Sequence, residues 1–132
     1  MALILIVDDN ALNRKLAALL LESAGHAVLQ ADDAERGIDL ARRCTPALVL
    51  MDVGLPGMSG LEATAVLKRD PATASIPIHA LTACAMPGDE QRVRAAGCDG
   101  YVPKPIRNDV FLRCIAEALG GSASTGDPTC LR

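Results

Sequence analysis

Leu48-Val49-Leu50-Met51 is a run of apolar residues closed by one carboxylate, Asp52, and the same design recurs along the chain. Leu3-Ile4-Leu5-Ile6-Val7 runs into Asp8-Asp9, Ile78-His79-Ala80-Leu81 runs into Thr82, and the shorter Tyr101-Val102 runs into Pro103-Lys104-Pro105. Apolar runs of about four to eight residues bounded by turn signals fit strands buried on both faces of a parallel sheet. Parallel sheets bind ligands outside the carboxyl ends of their strands. Three acids, a hydroxyl and an amine are therefore expected to meet at one rim.

The segments between these runs read as helices. Asn10 can cap a helix on which Leu12, Leu16, Leu19 and Leu20 recur at helical spacing, predicting an amphipathic element that Gly25 stops. His26 to Ala31 reads as a weaker, more polar strand and is expected at a sheet edge. Asp33 can cap a second helix with Ala34, Ile38 and Ala41 on one face, and Pro46 follows its end. The loop from Gly54 to Gly60 holds three glycines and Pro56, so it turns sharply and lets backbone approach a ligand. Leu61 to Arg69 reads as the third helix, broken by Asp70-Pro71. A fourth, mostly polar helix from Asp89 to Ala96 carries only a thin stripe of Val93 and Ala96, with Pro87 suited to its first turn. Such a helix is weakly anchored and suited to movement. Asn108 or Asp109 opens a fifth helix with Phe111, Ile115, Ala118 and Leu119 on one face. Five strands alternating with five helices predict a doubly wound α/β domain over residues 1–120. Residues 121–132, rich in Gly, Ser, Thr and Pro, are expected to form a disordered tail.

Length and composition exclude several other classes. The 132 residues suffice for one domain with one core, and with 50% apolar but only 2% aromatic residues that core must be aliphatic. A net charge of −3 gives no electrostatic reason for this chain to bind nucleic acid. The five cysteines, Cys44, Cys84, Cys98, Cys114 and Cys130, are odd in number and lack CxxC spacing, which argues against a disulfide framework or zinc site and for a reducing cytoplasm. No stretch approaches the roughly 20 apolar residues of a membrane span, and the N-terminus does not read as a signal peptide.

The expected rim has a definite chemistry. Asp8 and Asp9 can reach one crevice at a strand end, and Asp52 adds a third carboxylate. Like charges so close raise one another's pKa unless a cation is present, and a hard ion such as Mg²⁺, held by carboxylates and water, resolves the conflict. Taken alone, an Asp-Asp pair is better explained by Asp8 capping the first helix and Asp9 being merely exposed. Lys104, between two prolines, is held in a rigid turn and can balance charge on Asp52 or on a phosphoryl group there. Thr82 either satisfies a backbone carbonyl or donates to an oxygen that is only sometimes present, and Ala83 is small enough to leave Asp52 open.

Together these residues resemble the response-regulator receiver domains. The motifs Val7-Asp8-Asp9-Asn10, Met51-Asp52, Leu55-Pro56-Gly57-Met58-Ser59-Gly60-Leu61, Leu81-Thr82-Ala83 and Lys104-Pro105-Ile106 stand in family order from Leu3 to about Leu119. The resemblance implies a flavodoxin-like parallel sheet of order 2-1-3-4-5. It implies that Asp52 is a phosphoacceptor and that Asp9 binds Mg²⁺ directly, with Asp8 acting largely through water. The carbonyl of Gly54 would be a further ligand, and Thr82 and Lys104 would hold phosphoryl oxygens. Tyr101 would be an aromatic switch that turns inward when Thr82 moves. A histidine kinase or histidine phosphotransfer protein would dock on Leu12, Asn13, Pro105 and Ile106, with Leu16 serving either that rim or the core.

The residues two after Asp52 and two after Thr82, Gly54 and Cys84, carry no amide or carboxylate to orient water, so slow self-dephosphorylation is expected. Output would be through a downstream protein, by a monomer or weak dimer whose only reaction is its own phosphorylation and dephosphorylation. The motifs around Thr82 are similar to stand-alone DivK-type receivers and occur also in receivers of hybrid kinases. An aspartyl-phosphate hydrolase would want an acid where Gly54 stands, and a flavodoxin-like cofactor binder would want a phosphate-cradling loop where Asp8-Asp9 stand.

Overall fold

The structure, a computed structural model, describes residues 2–55, 57–82, 87–103 and 108–121. Strands and helices alternate strictly: β1 (Leu3–Val7), α1 (Ala11–Ser23), β2 (Ala27–Ala31), α2 (Ala34–Cys44), β3 (Leu48–Asp52), α3 (Gly60–Arg69), β4 (Ile78–Thr82), α4 (Pro87–Ala95), β5 (Gly100–Pro103) and α5 (Asn108–Gly121). The strands form one parallel sheet of order β2-β1-β3-β4-β5. This is the doubly wound α/β architecture that the apolar runs predict.

Strand alternation splits the core into two layers. Leu5, Val7, Val49, Met51, Ile78 and Ala80 face one side and pack under α2, α3 and Val93 of α4. Ile4, Ile6, Leu48, Leu50, Leu81 and Val102 face the other and pack under α1 and α5, where Phe111 and Ile115 are buried. β1 and β3 are buried along their whole length, whereas β2 is half-buried at the expected edge. It begins at Ala27 rather than His26, because His26 closes α1 instead. The His26 N–H donates to the Leu21 carbonyl at 3.0 Å, and its Nδ1 accepts from the Ala2 N–H at 3.2 Å.

Several predicted boundaries hold. Asn10 and Asp33 cap α1 and α2 through their side chains. Ser59 and Glu62 form a reciprocal capping box, which starts α3 at Gly60, one residue earlier than its apolar pattern predicts. Gly25 takes a φ of +93° after α1, the left-handed conformation that ends helices. Two expectations change. Of the four leucines predicted on one face of α1, Leu12, Leu16 and Leu19 are 78%, 37% and 56% exposed, and Leu20 alone packs against the core. The buried face is Ala17, Ala18 and Leu21, because alanines let the helix axis approach the sheet and leave the bulkier side chains outside. Helix α5 continues through Gly120 and Gly121, the latter being the first residue of the predicted tail over 121–132, and the rest of that tail lies outside the described residues.

The end of the sheet away from the strand carboxyl termini is clipped by one ammonium. Lys68 Nζ, on α3, donates to the Ile76 carbonyl at 2.8 Å and pairs with Asp99 Oδ2 at 3.0 Å. The same carboxylate oxygen accepts the Ile78 N–H at 2.8 Å. No helix among the described residues is long and apolar enough to cross a membrane.

Candidate functional site

Register brings the acids together. Val7 pairs with Met51, so Asp8 and Asp52 leave the carboxyl ends of adjacent strands side by side. Asp9 follows in the bend before α1, and oxygen atoms of Asp8, Asp9 and Asp52 all lie within 4.8 Å of one another. Asp8 and Asp52 are buried, at 0% and 5% exposure, while Asp9 is open to solvent. That donor set suits a hard divalent cation: all oxygen, two walls buried, one side open to water.

The two buried acids are held by backbone. The Asp8 N–H extends the sheet by donating to the Ala31 carbonyl at 3.1 Å, and Asp8 Oδ1 accepts the Asn10 N–H at 2.9 Å. Asp52 Oδ1 accepts the Gly54 N–H at 3.0 Å, and the Val53 N–H reaches across to the Leu81 carbonyl at 3.2 Å. Gly60 explains part of the glycine-rich loop: a Cβ there would run into the Asp52 carbonyl, so only glycine lets α3 start against the acid-bearing strand.

On the other flank, Leu81 pairs with Asp52, and Thr82 follows it, 4% exposed, at the end of β4. Tyr101 pairs in register with Ala80 on the neighbouring strand and is 41% exposed. Gly54 is exposed beside the cluster. Leu12 and Leu16 stand on the outer face of α1, and Asn13 is half-buried with its N–H donating to Asn10 Oδ1 at 3.1 Å. Lys104, Pro105, Ile106, Pro56 and Cys84 lie outside the described residues. Cys44, Cys98 and Cys114 are free thiols, and burial pushes those of Cys98 and Cys114 up.

Residues 4–116 match the response regulator receiver domain family. The chain belongs to that family. Among curated relatives, the receiver is 44% identical to the polar-differentiation response regulator DivK of Brucella anthropi, over 89% of this chain and 95% of the relative. Brucella ovis DivK matches at the same identity and coverage. The fold is that of the chemotaxis response regulator of Vibrio cholerae, with a TM-score of 0.86 and 28% identity over 90% of this chain and 99% of the other. A receiver domain of a sensor histidine kinase from Pseudomonas aeruginosa, solved with a magnesium ion coordinated in its active site cleft, aligns with a TM-score of 0.82. It is 31% identical over 90% of this chain and 98% of that one. The molecule is thus a receiver of two-component signalling, and its acid cluster is of the kind at which receivers hold Mg²⁺.

Two contributors to the site were not singled out in the sequence. Gly60 could be suspected only as one glycine among three in its loop. Arg14, whose guanidinium reaches the Asp8 carbonyl, carries no local signal beyond being a basic residue on the first turns of α1.

Proposed function

We propose that Asp52 accepts a phosphoryl group from a phosphohistidine on a histidine kinase or a histidine phosphotransfer protein. The observation that supports this most is the gathering of Asp8, Asp9 and Asp52 within 4.8 Å at the end of the central strands. A carboxylate oxygen of Asp52 attacks phosphorus, the P–N bond to the partner's imidazole breaks, and the imidazole leaves with the electron pair. When bound, Mg²⁺ draws charge from the phosphoryl oxygens and templates their approach. Asp9, Asp52 and the Gly54 carbonyl would hold it, with Asp8 acting largely through water. The Gly54 N–H on Asp52 Oδ1 orients the nucleophile. Thr82 and Lys104 take phosphoryl oxygens.

The product carries roughly −1.5 to −2 charge and strong acceptor oxygens. Thr82 moves toward them and Tyr101 turns from its exposed position into the space vacated. The surface around α4 then shifts in population between two packings, which a downstream protein reads. The histidine-bearing partner docks on Leu12, Asn13 and Leu16 and on the Pro105-Ile106 segment. The protein acts in the cytoplasm as a monomer or weak dimer, with no chemistry beyond its own phosphorylation and slow dephosphorylation. The test is intact mass after incubation with acetyl phosphate and Mg²⁺. The wild type gains one phosphoryl group and Asp52→Asn gains none; equal labelling of the variant would overturn the assignment.

A further inference from the structure

We propose that Arg14 is a positioning residue for the acid cluster, an inference that rests on the metal-binding reading above. Arg14 lies near the start of α1, half-buried, and its Nη1 donates to the backbone carbonyl of Asp8 at 2.7 Å. That carbonyl belongs to the peptide joining Asp8 to Asp9. Asp8 is already tied through its N–H to Ala31 and through its carboxylate to the Asn10 N–H. Neither bond sets the plane of the following peptide. The guanidinium does, and so it sets the direction in which exposed Asp9 leaves the strand. A charged donor makes a stronger hydrogen bond than a neutral one, and a guanidinium stays charged at every working pH.

Two effects of Arg14 oppose each other. Its positive charge repels a cation held nearby. Its hydrogen bond holds Asp9 where an ion can use it. Removing the side chain therefore tightens metal binding if charge dominates and weakens it if positioning dominates, so the sign separates the two. Arg14 also borders a surface cleft with Gln30, Asp32 and Arg36, so trimming it opens onto solvent rather than onto a void in the core.

The experiment is titration calorimetry of Mg²⁺ into the metal-stripped full chain, for wild type, Arg14→Gln and Arg14→Lys, with thermal unfolding in EDTA alongside. Positioning predicts that Arg14→Gln binds Mg²⁺ about tenfold more weakly, as the loss of a group orienting a metal ligand does, while melting like the wild type without metal. Arg14→Lys keeps the charge and one donor and loses less. Equal or tighter binding by a normally folded Arg14→Gln overturns the proposal. If Arg14→Gln does not fold, Arg14→Lys decides: weakened binding supports the proposal and wild-type affinity overturns it. A wild type that binds no Mg²⁺ overturns the metal-binding reading as well, and that outcome is distinct from the others.

Discussion

Helices α1 and α2 flank the same strand, β1, from opposite faces of the sheet, and they sort their side chains in opposite ways. α2 buries Ala34, Ile38 and Ala41 and turns Arg36, Asp39, Arg42 and Arg43 to water. α1 buries Ala17, Ala18 and Leu21 and shows Leu12, Leu16 and Leu19 to water. The outer face of α2 is what solvation alone asks for. An apolar stripe that the core does not use marks a surface with another task. α1 opens directly from the loop that carries Asp8 and Asp9, so its exposed leucines stand beside the chemistry.

The largest effect expected from this division is on the inner side. Leu21→Ala empties a fully buried position and should cost about 2–5 kcal/mol in urea unfolding. Next is Gly37, in the middle of α2, where alanine ordinarily stabilises a helix by roughly 1 kcal/mol. Here a Cβ would come within 2.6 Å of Val7 Cγ2, a short branched side chain fixed in β1. Gly37→Ala should therefore destabilise, by about 1–3 kcal/mol, as overpacking does; a gain in stability would show that α2 has slack against the sheet. Leu12→Ser should change stability by less than about 0.5 kcal/mol yet slow phosphoryl transfer from a histidine-bearing partner. Equal costs for Leu12→Ser and Leu21→Ala would erase the contrast between the two faces of α1.

The smallest effect is pH-dependent and confined to α1. Burial, and then the charge of the amino terminus, lower the pKa of His26 below its ordinary 6.5. Its neutral form is the one favoured in the fold, and its Nδ1 can accept from the Ala2 N–H only when unprotonated. The stability it contributes is complete above about 6.5, its unfolded value, and is lost as pH falls through the lower folded value. Amide protection factors at Ala24 and Gly25, which remove the intrinsic pH dependence of exchange, should fall on acidification through that window while that at Thr45, after α2, does not.

What was legible follows from where one force dominates. Strands buried on both faces have no choice but to be apolar throughout, so Leu3–Val7 and Leu48–Asp52 could be read almost to the residue. The acids at their ends acquire meaning only jointly, since an Asp-Asp pair alone fits a helix cap and an exposed acid, and it is their convergence with Asp52 at one rim that points to a site. The inner face of α1 could not: leucines at helical spacing satisfy the pattern as well as alanines do, and only the closeness of helix to sheet decides between them. The start of α3 was missed by one residue because the Ser59–Glu62 capping box acts through backbone N–H groups, not through apolar periodicity. Arg14 escaped because its partner is a main-chain carbonyl, which any sequence supplies at every position.

Lys68 has a mechanical consequence. By gathering the Ile76 carbonyl and the Asp99 carboxylate, it moors α3, the entry to β4 and the entry to β5 at a single point. The segment from β4 through α4 to β5 is thus a loop of rope with both ends knotted to one cleat. A displacement begun at the Thr82 end of β4 therefore meets, at the other end of that length, three contacts that converge on one ammonium and one carboxylate.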